Sequence, residues 1–246
     1  MIEHIEGIVL NEKSYGETSK IINVLTKKYG VVGMLAKGAK GIKSELRSVT
    51  SPLIYGNFTV YYKPDKLSLL NSVDVIDPFK NIKKDIVKIS YASFLLELSL
   101  QVVKQNPDSM IYQILVDGLK KINEGFDPLV IMNIIELKYL YYLGVMPILD
   151  CCSICGNKSA IATLSSRRGG YVCVNCLTNE KSVNKKTIQL IRMFFYVDIG
   201  KIEKLSIQEE PKKEINQFLD EYYEQYTGLY LNSKNFLKNI NKVTLR

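Results

Sequence analysis

The segment Leu53–Ile76, LIYGNFTVYYKPDKLSLLNSVDVI, decides the fold class expected for the first part of the chain. Phe58 and Val60 alternate with Asn57 and Thr59, and this period of two is typical of a strand that buries one face. The KPDK sequence that follows is a turn, and a second strand-like run comes directly after it. The segment therefore predicts two neighbouring β-strands.

Three further runs of the same kind precede this pair. They are short and rich in Ile and Val, and the turn sequence KKYG separates two of them. The five predicted strands are Ile5–Lys13, Ser19–Thr26, Val31–Ala36, Leu53–Tyr62 and Leu67–Ile76. Five short strands with one long basic connection fit a small closed barrel, and the OB-fold is the common five-stranded form.

The apolar period changes after Asp77 and Pro78, and residues then recur at helical spacing. Asp127 followed by Pro128 has the chemistry of an N-cap and a first helical residue. The predicted helices are Asp85–Val103, Asp108–Ile122, Asp127–Leu143, Lys185–Val197, Pro211–Tyr226 and a short one from Ser233. The fold class is thus α+β, with an OB-fold domain at residues 1–80 and an α-helical domain at residues 81–246.

All five cysteines fall between residues 151 and 176, in an insertion at about residues 150–178. Two C-x₂-C pairs flank residues 156–172, a spacing typical of four-cysteine zinc sites. The predicted ligands of one Zn²⁺ per chain are Cys152, Cys155, Cys173 and Cys176. Four thiolates leave no open coordination position, so this zinc is expected to be structural. The alternatives are a redox dithiol or small core residues, and Cys151 would replace Cys152 only with a less suitable C-x₃-C spacing.

A basic loop, KGAKGIKSELR, connects the third and fourth predicted strands. It carries Lys37, Lys40, Lys43 and Arg47 against a single acid. Its two glycines allow the backbone to approach a phosphate closely. The loop is therefore a candidate phosphate-binding site, and a solvated loop without a ligand is the alternative.

Weaker candidates for phosphate contacts are Lys20, Lys27, Arg167 and Arg168. Barrel tyrosines such as Tyr61 can stack on bases, as in other OB-folds, or can belong to the core. The net charge is +8, which favours a polyanionic partner, although Lys outnumbers Arg 28 to 5 and a compositional bias would also produce this excess.

The sequence contains no signal for export, for a membrane or for catalysis. Acidic residues stand near the N-terminus where a signal peptide would have basic ones, and apolar runs are shorter than a membrane span. No H-x-E motif accompanies the cysteine pairs, and the only histidine, His4, is expected on the surface of a strand. We therefore expect a cytoplasmic protein that is not an enzyme, with no membrane partner.

Five segments together resemble the RecO family of bacterial recombination mediators and DNA-annealing proteins. In the β part they are GIVLNEKSYGETSKIINVLTKKYG and AKGAKGIKSELRSVTSP. In the second part they are LGVMPILDCCSICG, GGYVCVNC and LYLNSKNFL. The order of these segments is far more specific than the cysteine spacing alone, and the resemblance covers nearly the whole chain.

The resemblance implies a nucleoid-associated DNA repair protein that binds single- and double-stranded DNA and anneals complementary strands. It further implies partnership with RecR and with single-strand-binding protein, and help in loading a RecA-type recombinase. An apolar groove with basic edges in the helical domain, near pairs such as Lys120-Lys121 and Lys185-Lys186, would receive the acidic tail of single-strand-binding protein. The alternatives are an RNA- or ribosome-associated zinc-binding OB-fold protein, a zinc enzyme, or an adaptor whose charge is incidental.

Overall fold

The computed structural model describes residues 1–234 and 236–237. Its first part is a barrel of five strands, and the observed strands are β1 Ile2–Tyr15, β2 Ser19–Thr26, β3 Gly30–Ala36, β4 Tyr55–Tyr61 and β5 Ser68–Asp77. The sheet order is β1-β2-β3-β5-β4, and β4 returns to pair with β1. Strands β3 and β5 pair in parallel, whereas the other neighbours are antiparallel. The predicted five-stranded OB-fold barrel is confirmed.

The strand register gives the barrel two ends, which we name by their connections. The loop end contains the β1–β2 turn at residues 16–18 and the β3–β4 connection at residues 37–54, because Lys20 pairs with Ala36. The turn end contains the β2–β3 turn at residues 27–29 and the β4–β5 turn at residues 62–67. Ile2 lies opposite Tyr61 there.

The inside of the barrel is apolar, as the period of two predicts. Phe58 and Val60 are fully buried, while Asn57 between the strand's inward positions is exposed. The buried cluster consists of Ile5, Val9, Ile22, Val24, Val32, Met34, Ala36, Ala39, Ile54, Phe58, Val60 and Leu70. A side chain from the basic loop, Ala39, belongs to this cluster, so the loop is anchored at one point in the core.

The first helix lies within the connection between β3 and β4, and the other helices follow the barrel in the expected order. They are α1 Leu46–Val49, α2 Lys80–Lys83, α3 Ile86–Gln105, α4 Ser109–Glu124, α5 Pro128–Tyr142, α6 Lys185–Tyr196 and α7 Glu209–Tyr226. The side chains of Asp85, Asp108 and Asp127 accept hydrogen bonds from backbone N–H groups at the starts of α3, α4 and α5. The two four-residue helices α1 and α2 were not expected, because a single turn is too short to show an apolar period.

The cysteine segment contains a hairpin that the sequence did not predict. It consists of β6 Ile161–Ser165 and β7 Gly170–Cys173, which pair antiparallel. Near the end of the chain residues 232–234 and 236–237 are helical, in agreement with the short helix expected from Ser233. Residue 235 and the predicted end of the helical domain at residues 238–246 lie outside the described residues.

The chain forms two compact units. The barrel unit comprises Met1–Gly125 and the C-terminal segment from Leu231, and the cysteine unit comprises Phe126–Tyr230. The barrel unit therefore contains α3 and α4 as well as the barrel. The sequence-based domain boundary near residue 80 stays a prediction.

One helix among the described residues, α3, is long and apolar enough to cross a membrane by those two measures alone. Within its 18-residue window 56% is buried by the rest of the protein. Core helices of soluble proteins have the same composition, so α3 is weak evidence for a membrane span.

Candidate metal centre and nucleic-acid interface

The structure brings the four predicted metal ligands together in the cysteine unit. The Sγ atoms of these residues all lie within 4.8 Å of one another. The residues are Cys152, Cys155, Cys173 and Cys176. This cluster, which we call the cysteine cluster, is compact enough to hold one metal ion.

The first C-x₂-C pair is held in a tight turn. The N–H of Gly156 donates to the carbonyl of Cys152 at 2.9 Å, and Gly156 has a φ of 74° that favours glycine. The N–H of Ser153 donates to the carbonyl of Tyr171 at 2.8 Å. The turn is therefore fixed directly onto β7.

The second pair follows from the hairpin. Cys173 is the last residue of β7, and a 3-10 turn, Val174–Cys176, carries the fourth thiol back toward the first pair. The N–H of Cys173 points at the sulfur of Cys152, with an N···S distance of 3.4 Å. Backbone N–H groups that face sulfur stabilise thiolates and prepare the cluster for a cation.

The thiols of the cluster differ in their pKa values because they lie so close together. Burial opposes ionisation of Cys152, but the backbone N–H groups of Cys155 and Cys173 outweigh it and lower the pKa of Cys152 to about 6. Hydrogen bonds with Cys155 and Cys173, followed by burial, raise the pKa of Cys176 to about 12. The cluster thus favours a thiolate at Cys152 and opposes ionisation of Cys176. A bound cation would offset the repulsion between neighbouring thiolates and would favour ionisation of all four thiols.

The fifth thiol does not join the group. Cys151 is half-buried and is absent from the set of converging ligand atoms in the described residues. The four thiols that converge are thus those of the two C-x₂-C pairs, and the choice of Cys152 over Cys151 as a metal ligand stays a prediction.

The basic loop lies at the loop end of the barrel and is braced against the β1–β2 turn. The N–H of Lys40 donates to the carbonyl of Thr18 at 2.8 Å, and the Lys40 ammonium donates to the carbonyl of Gly16 at 2.8 Å. The N–H of Gly38 donates to the hydroxyl of Ser19 at 3.3 Å. The loop thus has a fixed position, and Lys40 contributes to its architecture as well as to its charge.

The other three basic side chains of the loop are exposed. Lys37 and Lys43 lie in its irregular part, and Arg47 lies on α1. Ile42, between them, is 89% exposed at the tip. These side chains present positive charge to solvent from a backbone with a fixed position, and basic side chains of this kind can contact phosphates.

The weaker candidates have different surroundings. The ammonium of Lys20 lies 2.7 Å from a carboxylate oxygen of Glu12, and the Lys20 side chain is only 15% exposed. Lys27 is exposed but belongs to the turn end, away from the basic loop. Lys20 therefore lies at the loop end but is already ion-paired, whereas Lys27 lies at the opposite end of the barrel from Lys37, Lys43 and Arg47.

The remaining pair of candidates belongs to the cysteine unit. Arg167 and Arg168 are exposed in the turn between β6 and β7. The Nε of Arg168 lies 3.6 Å from a carboxylate oxygen of Glu180, so part of its charge is already compensated. Arg167 is the freer of the two for an added phosphate.

The barrel tyrosines have separate roles. Tyr55 is buried and donates to Glu6 at 2.6 Å, which makes it a core residue. Tyr62 stacks on Tyr29 with ring centroids 4.4 Å apart. Tyr61 is 46% exposed and is the one of the three with an accessible ring face. The predicted surface position of His4 is also observed, and its Nδ1 lies 3.0 Å from the hydroxyl of Thr59.

A closed OB-fold barrel with a braced basic loop, followed by helices and a cysteine cluster that could hold a metal ion, defines a class of multidomain OB-fold proteins. Comparison with known families narrows this class. The family model for "Recombination protein O N terminal" matches residues 1–79, and that for "Recombination protein O C terminal" matches residues 83–235. The chain belongs to the RecO family.

Individual relatives agree with this assignment. The "DNA repair protein RecO" of Bacillus subtilis (strain 168) is 35% identical over 241 residues, covering 96% of this chain and 94% of that protein. The "DNA repair protein RecO" of Listeria innocua serovar 6a is 33% identical over 245 residues, covering 98% of this chain and 96% of that protein. The predicted family resemblance is confirmed over nearly the full length.

Proposed function

We propose that this chain is a DNA-binding recombination mediator in DNA repair. The observation that carries the proposal is the braced basic loop on an OB-fold barrel in a chain of the RecO family. Relatives at about one-third identity are named DNA repair proteins. The protein binds single- and double-stranded DNA, anneals complementary strands, and acts through binding rather than through catalysis.

The DNA contacts are made with phosphates. Lys37, Lys43 and Arg47 provide them directly, and Lys40 both holds the loop and adds its charge. Lys20, Lys27, Arg167 and Arg168 are secondary contacts. Phosphates carry no base information, so binding is nearly independent of sequence.

Zn²⁺ is the metal proposed for the cysteine cluster. A tetrahedron with metal–sulfur bonds of about 2.3 Å has sulfur–sulfur edges of about 3.8 Å. The Sγ atoms of Cys155 and Cys173 are 3.7 Å apart, which fits such an edge. Four thiolates close the coordination sphere, so the zinc stabilises the cysteine unit and takes no part in a reaction.

The protein partners follow from the family. With RecR, the chain helps to load a RecA-type recombinase on strands coated by single-strand-binding protein, in the nucleoid of the cytoplasm.

The acidic tail of single-strand-binding protein binds an apolar cleft of about 560 Å³ in the cysteine unit. Leu190, Met193 and Ile207 line this cleft, and Lys186 supplies a positive charge. Weaker binding of a tail peptide to Lys186→Glu, with Lys158→Glu as control, is the expected result; equal binding to both variants would place the tail elsewhere.

The test of DNA binding is its salt dependence. Each phosphate contact contributes roughly −0.7 to the slope of log K against log salt on single strands, so Lys37→Ala with Lys43→Ala should flatten the slope by about 1.4. The matched control replaces Lys84 and Lys104, two exposed lysines of the barrel unit outside the barrel, with alanine. An unchanged slope in the loop variant would move the site elsewhere, and a preference for RNA over single-stranded DNA would reject the proposed function.

Annealing is measured separately, on complementary strands coated beforehand with single-strand-binding protein. The wild type should accelerate duplex formation and the loop variant should do so less well. Failure of the wild type to anneal coated strands would reject the role as a mediator even if DNA binding is observed.

A further inference from the structure

The turn end of the barrel carries a second group of basic side chains. Four exposed lysines and one exposed acid lie in its two turns. They are Lys27, Lys28, Lys63, Lys66 and Asp65. Lys28 lies 3.9 Å from Glu3 and 4.6 Å from the centre of the Tyr29 ring. Within the described residues the other three lysines have no carboxylate within ion-pair distance.

Aromatic and apolar side chains stand among these lysines. Tyr61, at the end of β4, is 46% exposed, and Leu67, at the start of β5, is 43% exposed. The rings of Tyr29 and Tyr62 stack on each other at the same end of the barrel. Cations interleaved with an accessible aromatic ring are the recognition chemistry of single-stranded nucleic acid.

The wall of the barrel between the two ends has the opposite charge. The strands carry five acids and two lysines. The acids are Glu3, Glu6, Glu12, Asp74 and Asp77, and the lysines are Lys13 and Lys20. Lys20 is paired with Glu12. Strand β3 has no charged residue at all.

A continuous DNA path along β1 or β5 would meet these acids, and a path along β2 and β3 would meet no cation except Lys20, which is already paired with Glu12. Strand β2 has 8 residues, and at about 3.3 Å per residue it separates the ends by roughly 25 Å along its length. That distance exceeds the Debye length of about 8 Å at physiological salt, so the two basic ends act independently. A DNA strand crossing β5 would place its phosphates against Asp74, and one crossing β3 would find no cation to hold it.

We propose that the turn end is a second binding site for single-stranded DNA, so that one chain holds two strands at once. Lys27, Lys63 and Lys66 contact phosphates, and Tyr61 stacks on a base. This inference rests on the proposed DNA-binding function and adds to it a physical basis for annealing, because two strands on one barrel meet at a high effective concentration.

The stoichiometry of a short oligonucleotide tests the proposal. An oligothymidine of about four nucleotides is long enough for one small site on a barrel of this kind. At roughly 3.4 Å per nucleotide along a strand it covers about 14 Å, which is too short to engage both ends. The wild type should bind two oligonucleotides per chain at saturation. The variant with Lys63→Ala and Lys66→Ala should bind one, and the control with Lys84→Ala and Lys104→Ala should bind two. The fold should be intact, because Lys63 and Lys66 are exposed turn residues.

The same variants separate the proposal from its alternatives. The turn-end variant should anneal complementary strands more slowly while its first oligonucleotide binds as tightly as in the wild type. Saturation of the wild type at one oligonucleotide, or full stoichiometry and annealing in the turn-end variant, would overturn the second site. Equal weakening of one binding event by loop-end and turn-end substitutions would indicate a continuous path and would also overturn it. Absence of DNA binding by the wild type would instead reject the proposed function.

Discussion

A single carboxylate ties the barrel wall to a helix within the barrel unit. Glu6 on β1 accepts hydrogen bonds from the hydroxyls of Tyr55 on β4, at 2.6 Å, and Tyr112 on α4, at 2.7 Å. These bonds, that of Tyr55 first, lower the pKa of Glu6 against the effect of burial. Burial and the same carboxylate raise the pKa of Tyr55 to about 12. Charged acceptors of this kind hold barrel and helix in one arrangement.

Replacement of Glu6 by alanine should destabilise the barrel unit by about 1–3 kcal/mol, because two largely buried hydroxyls lose their acceptor. The lowered pKa means that Glu6 stabilises the folded state above the unfolded pKa, and that this contribution disappears as the pH falls through the folded value. Urea unfolding at pH 7 and near pH 3 measures the effect. The variant should differ from the wild type less at the acidic pH, and Glu17→Ala, in the exposed β1–β2 turn, should change neither value. Equal losses at both pH values would contradict the ionic role of Glu6.

The cysteine cluster makes a second prediction at this scale. Cys173→Ser should abolish stoichiometric zinc and lower the thermal stability of the cysteine unit, because metal binding and local folding are coupled. Cys151→Ser is the matched control and should retain zinc, since Cys151 lies outside the converging sulfur atoms. Metal analysis of protein purified without added zinc measures both. Loss of zinc in Cys151→Ser, or a metal-free wild type with paired disulfides, would show that the ligand assignment is wrong.

At the scale of elements, the sequence predicts those features that depend only on residues close together in the chain. Asp85, Asp108 and Asp127 identified three helix starts correctly, because an N-cap acts on N–H groups two or three residues away. The hairpin of β6 and β7 was missed, because it is short and depends on pairing with a distant segment. Gly170 pairs with Ile148 in that contact, and the sequence between the cysteine pairs gives no period that indicates it.

The contact between Gly170 and Ile148 can be tested directly. A Cβ atom on Gly170 would clash with the carbonyl oxygen of Ile148 and would lie 2.7 Å from its nitrogen, and the φ of Gly170 is 148°. Gly170→Ala should therefore push β7 away from Ile148 and weaken zinc binding by the adjoining cysteines. Gly169→Ala is the control: its Cβ would lie 3.7 Å from the Tyr226 hydroxyl, and only the positive φ of 75° costs about 1–2 kcal/mol. Similar zinc affinities and melting temperatures in the two variants would show that the close approach of Gly170 to Ile148 does not support the zinc site.

At the scale of the whole molecule, the location of charge could not be predicted from the sequence. The net charge of residues 1–80 equals the net charge of the basic loop, so the sequence alone attributes the whole positive charge of the barrel to that loop. The fold divides the remainder into lysines at the turn end and acids on the strands. Lysines and acids whose charges cancel in the net charge are separated in space, because the strand register determines which turns lie at the same end of the barrel.

The return of the chain to the barrel unit is another property that only the fold reveals. After the cysteine unit, the segment from Leu231 rejoins the barrel unit, where Leu231 and Leu237 are buried. Glu97 on α3 accepts hydrogen bonds from the N–H of Asn232, at 3.0 Å, and from the N–H of Ser233, at 2.8 Å. The Ser233 hydroxyl also donates to this carboxylate. A charge on one helix thus caps the start of another helical segment far along the chain.

Glu97→Ala should release this segment. Burial raises the pKa of Glu97, but the bonds from Ser233 and Asn232 outweigh burial and lower it, so the ionised carboxylate is the form that holds the segment. Hydrogen exchange at the amides of Asn232 and Ser233 should accelerate by about one to two orders of magnitude, which corresponds to the roughly 1.5–3 kcal/mol of a hydrogen bond to a charged group. In the wild type the protection should fall as the pH drops below the ordinary pKa of a glutamate, through the lowered folded value. Gln101→Ala, one turn further along α3, should leave both amides protected, whereas unchanged exchange in Glu97→Ala would show that the buried leucines alone fasten the segment.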